Sequence, residues 1–221
     1  YFSVMKKFVR CFFYSLVIFS LTNCQTHYYS TSLNLPVNKF QKGYKKFNAS
    51  FEMLPSAEDE YIHDYKPATS ITATFGLDEN KGMDTKIWLC DMNAGISANL
   101  YYGKEISENS RFYSCPRIGL TSDVWGLGLG LGYSGIYQKT FKNKFSFFSG
   151  FGLAFGTDLT ELDEFGNILL LNLGLSQRIK NLYFSIEFNP SLQKYIFEQS
   201  RYFGVANTSF SVGYVFSDSK K

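Results

Sequence analysis

Between Trp125 and Ser134 the chain reads WGLGLGLGYS, so that Trp125, Leu127, Leu129, Leu131 and Tyr133 alternate with Gly126, Gly128, Gly130, Gly132 and Ser134. A period of two places successive side chains on opposite faces of an extended strand and cannot form one stripe along a helix. A strand this polarised needs an apolar environment on one side and something small and polar on the other.

The same alternation returns along most of the chain. Phe47, Ala49, Phe51 and Met53 stand against Lys46, Asn48, Ser50 and Glu52. Ile71, Ala73, Phe75 and Leu77 stand against Ser70, Thr72, Thr74 and Gly76. Asp84 to Cys90 gives a short, weak third segment. Ala94, Ile96, Ala98, Leu100 and Tyr102 alternate with Gly95, Ser97, Asn99, Tyr101 and Gly103. A fifth segment sets Phe112, Ile118 and Leu120 against Tyr113, Cys115, Arg117 and Gly119.

After the Trp125 segment, Phe145, Phe147, Phe151, Leu153 and Phe155 oppose Ser146, Phe148, Gly150, Gly152, Ala154 and Gly156. Leu169, Leu171, Leu173 and Leu175 oppose Leu170, Asn172, Gly174, Ser176 and Arg178. Leu182, Phe184, Ile186 and Phe188 oppose Tyr183, Ser185, Glu187 and Asn189. Phe210, Val212, Tyr214 and Phe216 oppose Asn207, Ser209, Ser211 and Gly213. About ten strands follow, or eight if the first and third segments are dropped.

Two architectures share this pattern. A soluble barrel turns its large side chains inward, whereas a membrane barrel turns them outward to lipid. The polar faces decide for the membrane. They are built from Gly, Ser, Asn, Thr and Ala, while a water-facing surface carries a quarter or more of charged residues. Small groups of this kind suit the crowded lumen of a narrow barrel.

The apolar faces, in a chain with 23 Phe and 16 Tyr, are too bulky to converge on one interior. Aromatics near strand ends (Tyr102, Trp125, Tyr133, Tyr137, Tyr202 and Phe216) fit the belts found at membrane interfaces. The expectation is an all-β fold, a closed antiparallel up-and-down transmembrane barrel. An open sheet edge in hydrocarbon would leave backbone groups unpaired at several kcal/mol each.

By parity, Lys46, Glu52, Arg117, Arg178 and Glu187 fall on the lumen face. Charges in a narrow lumen are costly unless paired, so a ladder of internal ion pairs is expected, with a selectivity ring as the functional alternative. The bare Gly126–Gly132 face leaves either a cavity or a gap filled by opposing Tyr and Phe. Cys90 and Cys115 are expected as two free, buried thiols rather than a disulfide.

Upstream, Met5 opens a tripartite segment. Lys6, Lys7 and Arg10 precede the apolar run Cys11 to Leu21, which is too short to span as a helix, where ~20 residues are needed. Leu21-Thr22-Asn23-Cys24 follows and resembles a bacterial lipobox, with Asn23 where that motif usually carries Gly, Ala or Ser.

Together with the repeated alternation, the pattern from Met5 to Phe216 resembles the small outer-membrane β-barrel proteins of Gram-negative bacteria, particularly those made with a lipoprotein signal. Members often end on an aromatic residue read by the assembly machinery; here VGYVF reaches Phe216 and SDSKK follows. The resemblance implies a signal peptide over 1–23 and a lipidated tether over 24–43 attached through Cys24. It implies a barrel over 44–216 and a tail over 217–221. It further implies a periplasmic N-terminus, outer-membrane lipid around the wall, and the barrel-assembly and lipoprotein-sorting machineries as partners.

Other functions find little support. The net charge is only +3 and no basic block occurs among the strands, so a nucleic-acid partner is not expected. The two His, His27 in the tether and His63 in a loop, are a thin basis for a rim-sited lipid enzyme of Ser-His-acid type. The acidic runs Glu58-Asp59-Glu60 and Glu161-Asp163-Glu164 lack calcium-loop spacing and read as solvated loops. No enzyme activity, cofactor or metal is expected. The reading is a membrane-embedded structural or surface-interaction protein, with a ligand outside the cell left open. A narrow channel or carrier for small solutes is the alternative.

Overall fold

The computed structural model describes residues 33, 35, 36, 39–56, 64–90, 93–122, 126–142, 144–158, 165–195 and 202–217. Residues 1–23, read as a signal peptide, and Cys24, His27, His63, Trp125 and the two acidic runs lie outside the described residues.

Ten strands follow one another in chain order: β1 (Lys45–Ser56), β2 (Asp64–Asp78), β3 (Lys81–Cys90), β4 (Asn93–Ser107), β5 (Ser110–Ser122), β6 (Leu127–Phe141), β7 (Phe145–Asp158), β8 (Phe165–Ile179), β9 (Leu182–Tyr195) and β10 (Tyr202–Ser217). Each pairs antiparallel with its neighbours. β1 closes on β10 through a register running from Lys46↔Val215 to Met53↔Thr208. No helix among the described residues is long and apolar enough to cross a membrane. The strands do so instead, since each reaches or exceeds the ~9–11 residues a tilted span requires.

Ten strands is the higher of the two counts the alternation allowed, and β3 shows why it was faint. Met83, Ile87 and Leu89 face outward, but the inward positions are Gly82, Asp84, Lys86, Trp88 and Cys90. Charges and a Trp inside mask the contrast that glycines give elsewhere. The alternating segments leave Lys104 to Ser110 between them, a long connection for a turn. It shrinks to Glu108 and Asn109 because β4 and β5 extend to meet it.

Four tight turns therefore sit at one end, between β2 and β3, β4 and β5, β6 and β7, and β8 and β9, together with the start of β1 and the finish of β10. Asn80, Lys144 and Lys180 take left-handed backbone in three of them. The other end holds the remaining connections, including residues 57–63 and 159–164.

The faces follow the parity of the sequence. Phe151 is 56% and Phe155 54% exposed, whereas Ser185 is 3% and Asn189 1% exposed. A soluble barrel requires the reverse. The outward band contains Phe51, Ile71, Ile87, Ile118, Leu131, Leu171 and Phe210, with no charged residue among them, and is a hydrocarbon-facing surface.

Toward the turn end the band becomes aromatic. Phe47 meets Phe75 and Phe216 edge-on, Tyr214 meets Phe216, and Phe141 meets Phe145. This is the interfacial belt. Tyr133, expected near a strand end, lies in the middle of β6, where its hydroxyl pairs with Ser114 Oγ at 2.5 Å. A Tyr can stay in the hydrocarbon band because that bond satisfies its hydroxyl.

Inside, large residues lie over glycines of the adjoining strand. Trp88 is paired with Gly95, Tyr113 with Gly103, Arg117 with Gly132 and Phe148 with Gly174. A Cβ built on any of these glycines would collide with the ring or stem lying over it. The glycines are the space the large inward side chains occupy. On the Gly126–Gly132 face, Gly132 lies under the stem of Arg117, and Gly130 lines a cavity.

Candidate functional site in the barrel lumen

Of the segment read as a tether over 24–43, the described residues form no strand or helix; Leu33, Leu35 and Phe40 are completely buried inside the barrel, and Pro36 is buried with them. Gly43, at φ +84°, lets the chain reverse into β1, and its N–H donates to Gly76 O at 3.2 Å. A residue with a side chain would be strained at that angle.

The barrel wall recognises this segment through its backbone. Glu187 Oε2 accepts from Leu33 N–H at 2.6 Å. Tyr183 donates its hydroxyl to Leu35 O at 3.0 Å, and Lys46 Nζ lies 3.4 Å from the same oxygen. Gln138 Nε2 donates to Pro36 O at 2.5 Å, and Phe40 O accepts from Asn80 N–H at 3.0 Å. At the rim, Lys39 forms an exposed ion pair with Glu79.

Burying the side chains of Leu33, Leu35 and Phe40 removes apolar area worth about 1.5–3 kcal/mol each. Their partners are inward residues of the wall: Tyr101, Tyr113, Cys115, Ile136, Phe148, Tyr183 and Val215. Leu33, at the far end of the segment, is bonded to the middle of β9. The turn-end half of the lumen is plugged.

A polar layer meets the inner end of the plug. Glu52 forms an ion pair with Lys86, and Ser70 donates to the same carboxylate oxygen at 3.0 Å. β1 is thereby tied to β3 across β2. Asp84 accepts from Asn99 Nδ2 at 2.8 Å and Tyr101 OH at 2.6 Å. Lys46 stands 3.6 Å from the centre of the Tyr183 ring and within electrostatic reach of Asp84 and Glu187. Arg117 donates through Nη2 to Ser134 Oγ at 2.8 Å.

Of the residues expected in the lumen, Lys46, Glu52 and Glu187 are fully buried and close to one another, and Arg117 is half-buried. Arg178 lies at the turn end, where its Nε donates to Lys180 O at 2.7 Å and braces the β8–β9 hairpin. Parity places it on the inward face, but its position one residue before the end of β8 sets its height. Asp84 and Lys86 complete the cluster and were not singled out from sequence. Read as alternating from Gly82 to Cys90, β3 would have put both inward.

The result is three carboxylates, Glu52, Asp84 and Glu187, distributed among three cations, Lys46, Lys86 and Arg117. The charges compensate one another instead of forming a ring of one sign, which a selectivity filter would need. Cys90 on β3 and Cys115 on β5 are buried, and no disulfide joins them. No group of three or more metal-ligating side chains occurs among the described residues.

No protein-family model matches the chain, and no curated protein matches it. Among solved structures it is similar to Ail, the attachment invasion locus protein of Yersinia pestis, with 14% identity over 80% of this chain and 100% of that chain and a TM-score of 0.33. It is also similar to OmpT, an outer membrane protein of Vibrio cholerae. There the identity is 6% over 85% of this chain and 100% of that chain, with a TM-score of 0.31.

Proposed function

We propose that this chain is a bacterial outer-membrane protein whose barrel is closed to solutes and serves as a membrane-embedded base for its external loops. In this reading it is a structural or surface-interaction protein rather than a channel or carrier. The observation that carries it is the plug: Leu33, Leu35 and Phe40 are buried in the lumen at 0% exposure, beneath a compensated charge layer. A solute path along the axis would have to displace both. In planar bilayers the purified barrel is expected to give no steady conductance. Lasting nanosiemens steps would overturn the closed reading in favour of a channel.

Orientation follows from the two ends. Outer-membrane barrels keep short turns toward the periplasm and longer loops outside. The four tight turns therefore face the periplasm, with the start of β1 beside them. This supports a signal peptide over 1–23 and acylation of Cys24 in the inner leaflet. Three acyl chains, each burying its CH₂ groups at about 0.8 kcal/mol apiece, would hold that end firmly. Cys24→Ala is expected to abolish incorporation of radioactive palmitate. Undiminished labelling would remove the lipid anchor from this reading and leave the barrel untouched.

A further inference from the structure

Four lysines stand where the hydrocarbon band ends on the turn side: Lys45 on β1, Lys81 on β3, Lys104 on β4 and Lys139 on β6. All four are exposed, and each continues the outward face of its strand. The register sets each against an outward aromatic of the adjoining strand: Lys45↔Phe75, Lys81↔Tyr102, Lys104↔Phe112 and Lys139↔Phe147. Lys139 Nζ also lies 5.7 Å from the centre of the Phe141 ring. None of the four forms an ion pair with a described residue.

The acidic residues of this end, Asp78, Glu79, Glu105 and Glu108, belong to the β2–β3 and β4–β5 hairpins, and Glu79 is engaged by Lys39. The β6–β7 and β8–β9 turns add the exposed Lys142, Lys144 and Lys180 and no acid. The turn end is therefore strongly cationic. A lysine at the edge of the band lays its stem along the apolar wall and lifts its ammonium to the polar boundary. In a bilayer the anionic group at that depth is the lipid phosphate, which an ammonium binds as a point charge. A zwitterionic headgroup carries its own cation beside the phosphate and cancels much of the attraction; phosphatidylglycerol does not. The neighbouring ring suits the glycerol and upper acyl chain, as interfacial aromatics do. The four pairs are spread over seven of the ten strands, so a protein partner approaching from one side would miss some of them, whereas surrounding lipid meets all.

We infer that the turn-end rim, through Lys45, Lys81, Lys104 and Lys139 and their register-paired aromatics, is a docking surface for anionic phospholipid, with phosphatidylglycerol bound in preference to zwitterionic lipid. This goes beyond the closed-barrel reading and does not depend on it. The orientation of the turns decides only which leaflet supplies the lipid.

The test reconstitutes the full chain in phosphatidylcholine vesicles with a trace of phosphatidylglycerol, phosphatidylethanolamine or phosphatidylcholine spin-labelled on the acyl chain. The motionally restricted fraction of each spectrum gives the relative association of that lipid with the barrel. In about 0.1 M NaCl, phosphatidylglycerol is expected to associate about threefold more strongly than phosphatidylcholine, and phosphatidylethanolamine about equally. At about 1 M NaCl, where the screening length falls to about 3 Å, the preference should shrink toward equality. Changing Lys45, Lys81, Lys104 and Lys139 together to Gln should remove most of it. Changing the same four to Arg, which keeps the charge, should retain it.

Heat-modifiable gel migration verifies that each variant is folded. If the fourfold Gln variant fails to fold, Lys104→Gln/Lys139→Gln carries the test, with about half of the preference lost. Lysines that serve only to hold the rim at the water boundary predict no choice between headgroups. Equal association of phosphatidylglycerol and phosphatidylcholine, a preference undiminished by high salt, or an unchanged preference in a folded Gln variant would each overturn the docking surface. Bilayer conductance is measured separately, so failure here leaves the closed-barrel reading standing.

Discussion

Replacing Lys86 by Met is expected to lower the unfolding free energy of the barrel by about 3–5 kcal/mol, the range for removing one partner of a buried ion pair. Lys86 is 1% exposed and its Glu52 partner 0%. Met fills nearly the same volume, so little of the loss comes from a cavity. What remains is a carboxylate on β1 kept from water, to which Ser70 still donates at 3.0 Å. Its neighbour across the lumen, Glu187, is a further buried carboxyl within electrostatic reach of both Glu52 and Lys86.

The double variant Glu52→Gln/Lys86→Met removes both charges, and most of the lost stability should return. Denaturant unfolding of the folded protein in detergent, followed by tryptophan emission, measures both. A loss below about 1 kcal/mol for Lys86→Met alone would show that water reaches this layer, as it does around exposed pairs. The closed lumen would then be wrong.

The comparison of that pair with the sequence shows what alternation can and cannot reveal. Glu52 is legible because β1 alternates cleanly between Phe47, Phe51 and its polar face. Lys86 was hidden because β3 puts Asp84, Lys86 and Trp88 on one side, which looks like an irregular polar stretch when scanned for apolar contrast. Parity still holds there, since Met83, Ile87 and Leu89 keep the outward face. Arg178 marks the second limit. Two-residue periodicity gives the face of a strand but not the height along the axis, and β8 ends immediately after it.

Height depends on where turns close and on the register between strands, which β1 and β10 fix only across the whole chain length. The plug marks the third limit. Residues 33–43 carry no periodicity, and Pro36 with scattered polar groups reads as linker. Their packing depends on an enclosing wall contributed by β4, β5, β6, β7, β9 and β10. The clue available was the barrel itself: Gly82, Gly95 and Gly103 leave inward space that something must fill. For Gly82 it is the Phe40 ring.

That ring gives the second large effect. Phe40→Ala is expected to cost about 3–5 kcal/mol, as aromatic truncations in packed interiors do. Phe40 is fully buried and stacks on Tyr101 with centroids 5.3 Å apart at 27°. It meets Tyr113 edge-on at 5.8 Å and Tyr44 at 6.2 Å. Such ring pairs add about 0.5–1.5 kcal/mol beyond the area they bury.

Neither hydrocarbon nor bulk water can refill the space, because the surrounding strands are closed by backbone bonds and cannot collapse inward. Phe51→Ala provides the contrast. Phe51 faces outward on β1 and is 48% exposed, so lipid or detergent chains occupy the volume it leaves, and the loss should be clearly smaller. The same two unfolding curves therefore distinguish a plug from a linker. A linker residue would change stability by less than about 0.5 kcal/mol, and Phe40→Ala would then be the milder of the pair. The ordering Phe40 above Phe51 requires the N-terminal segment to be part of the folded barrel.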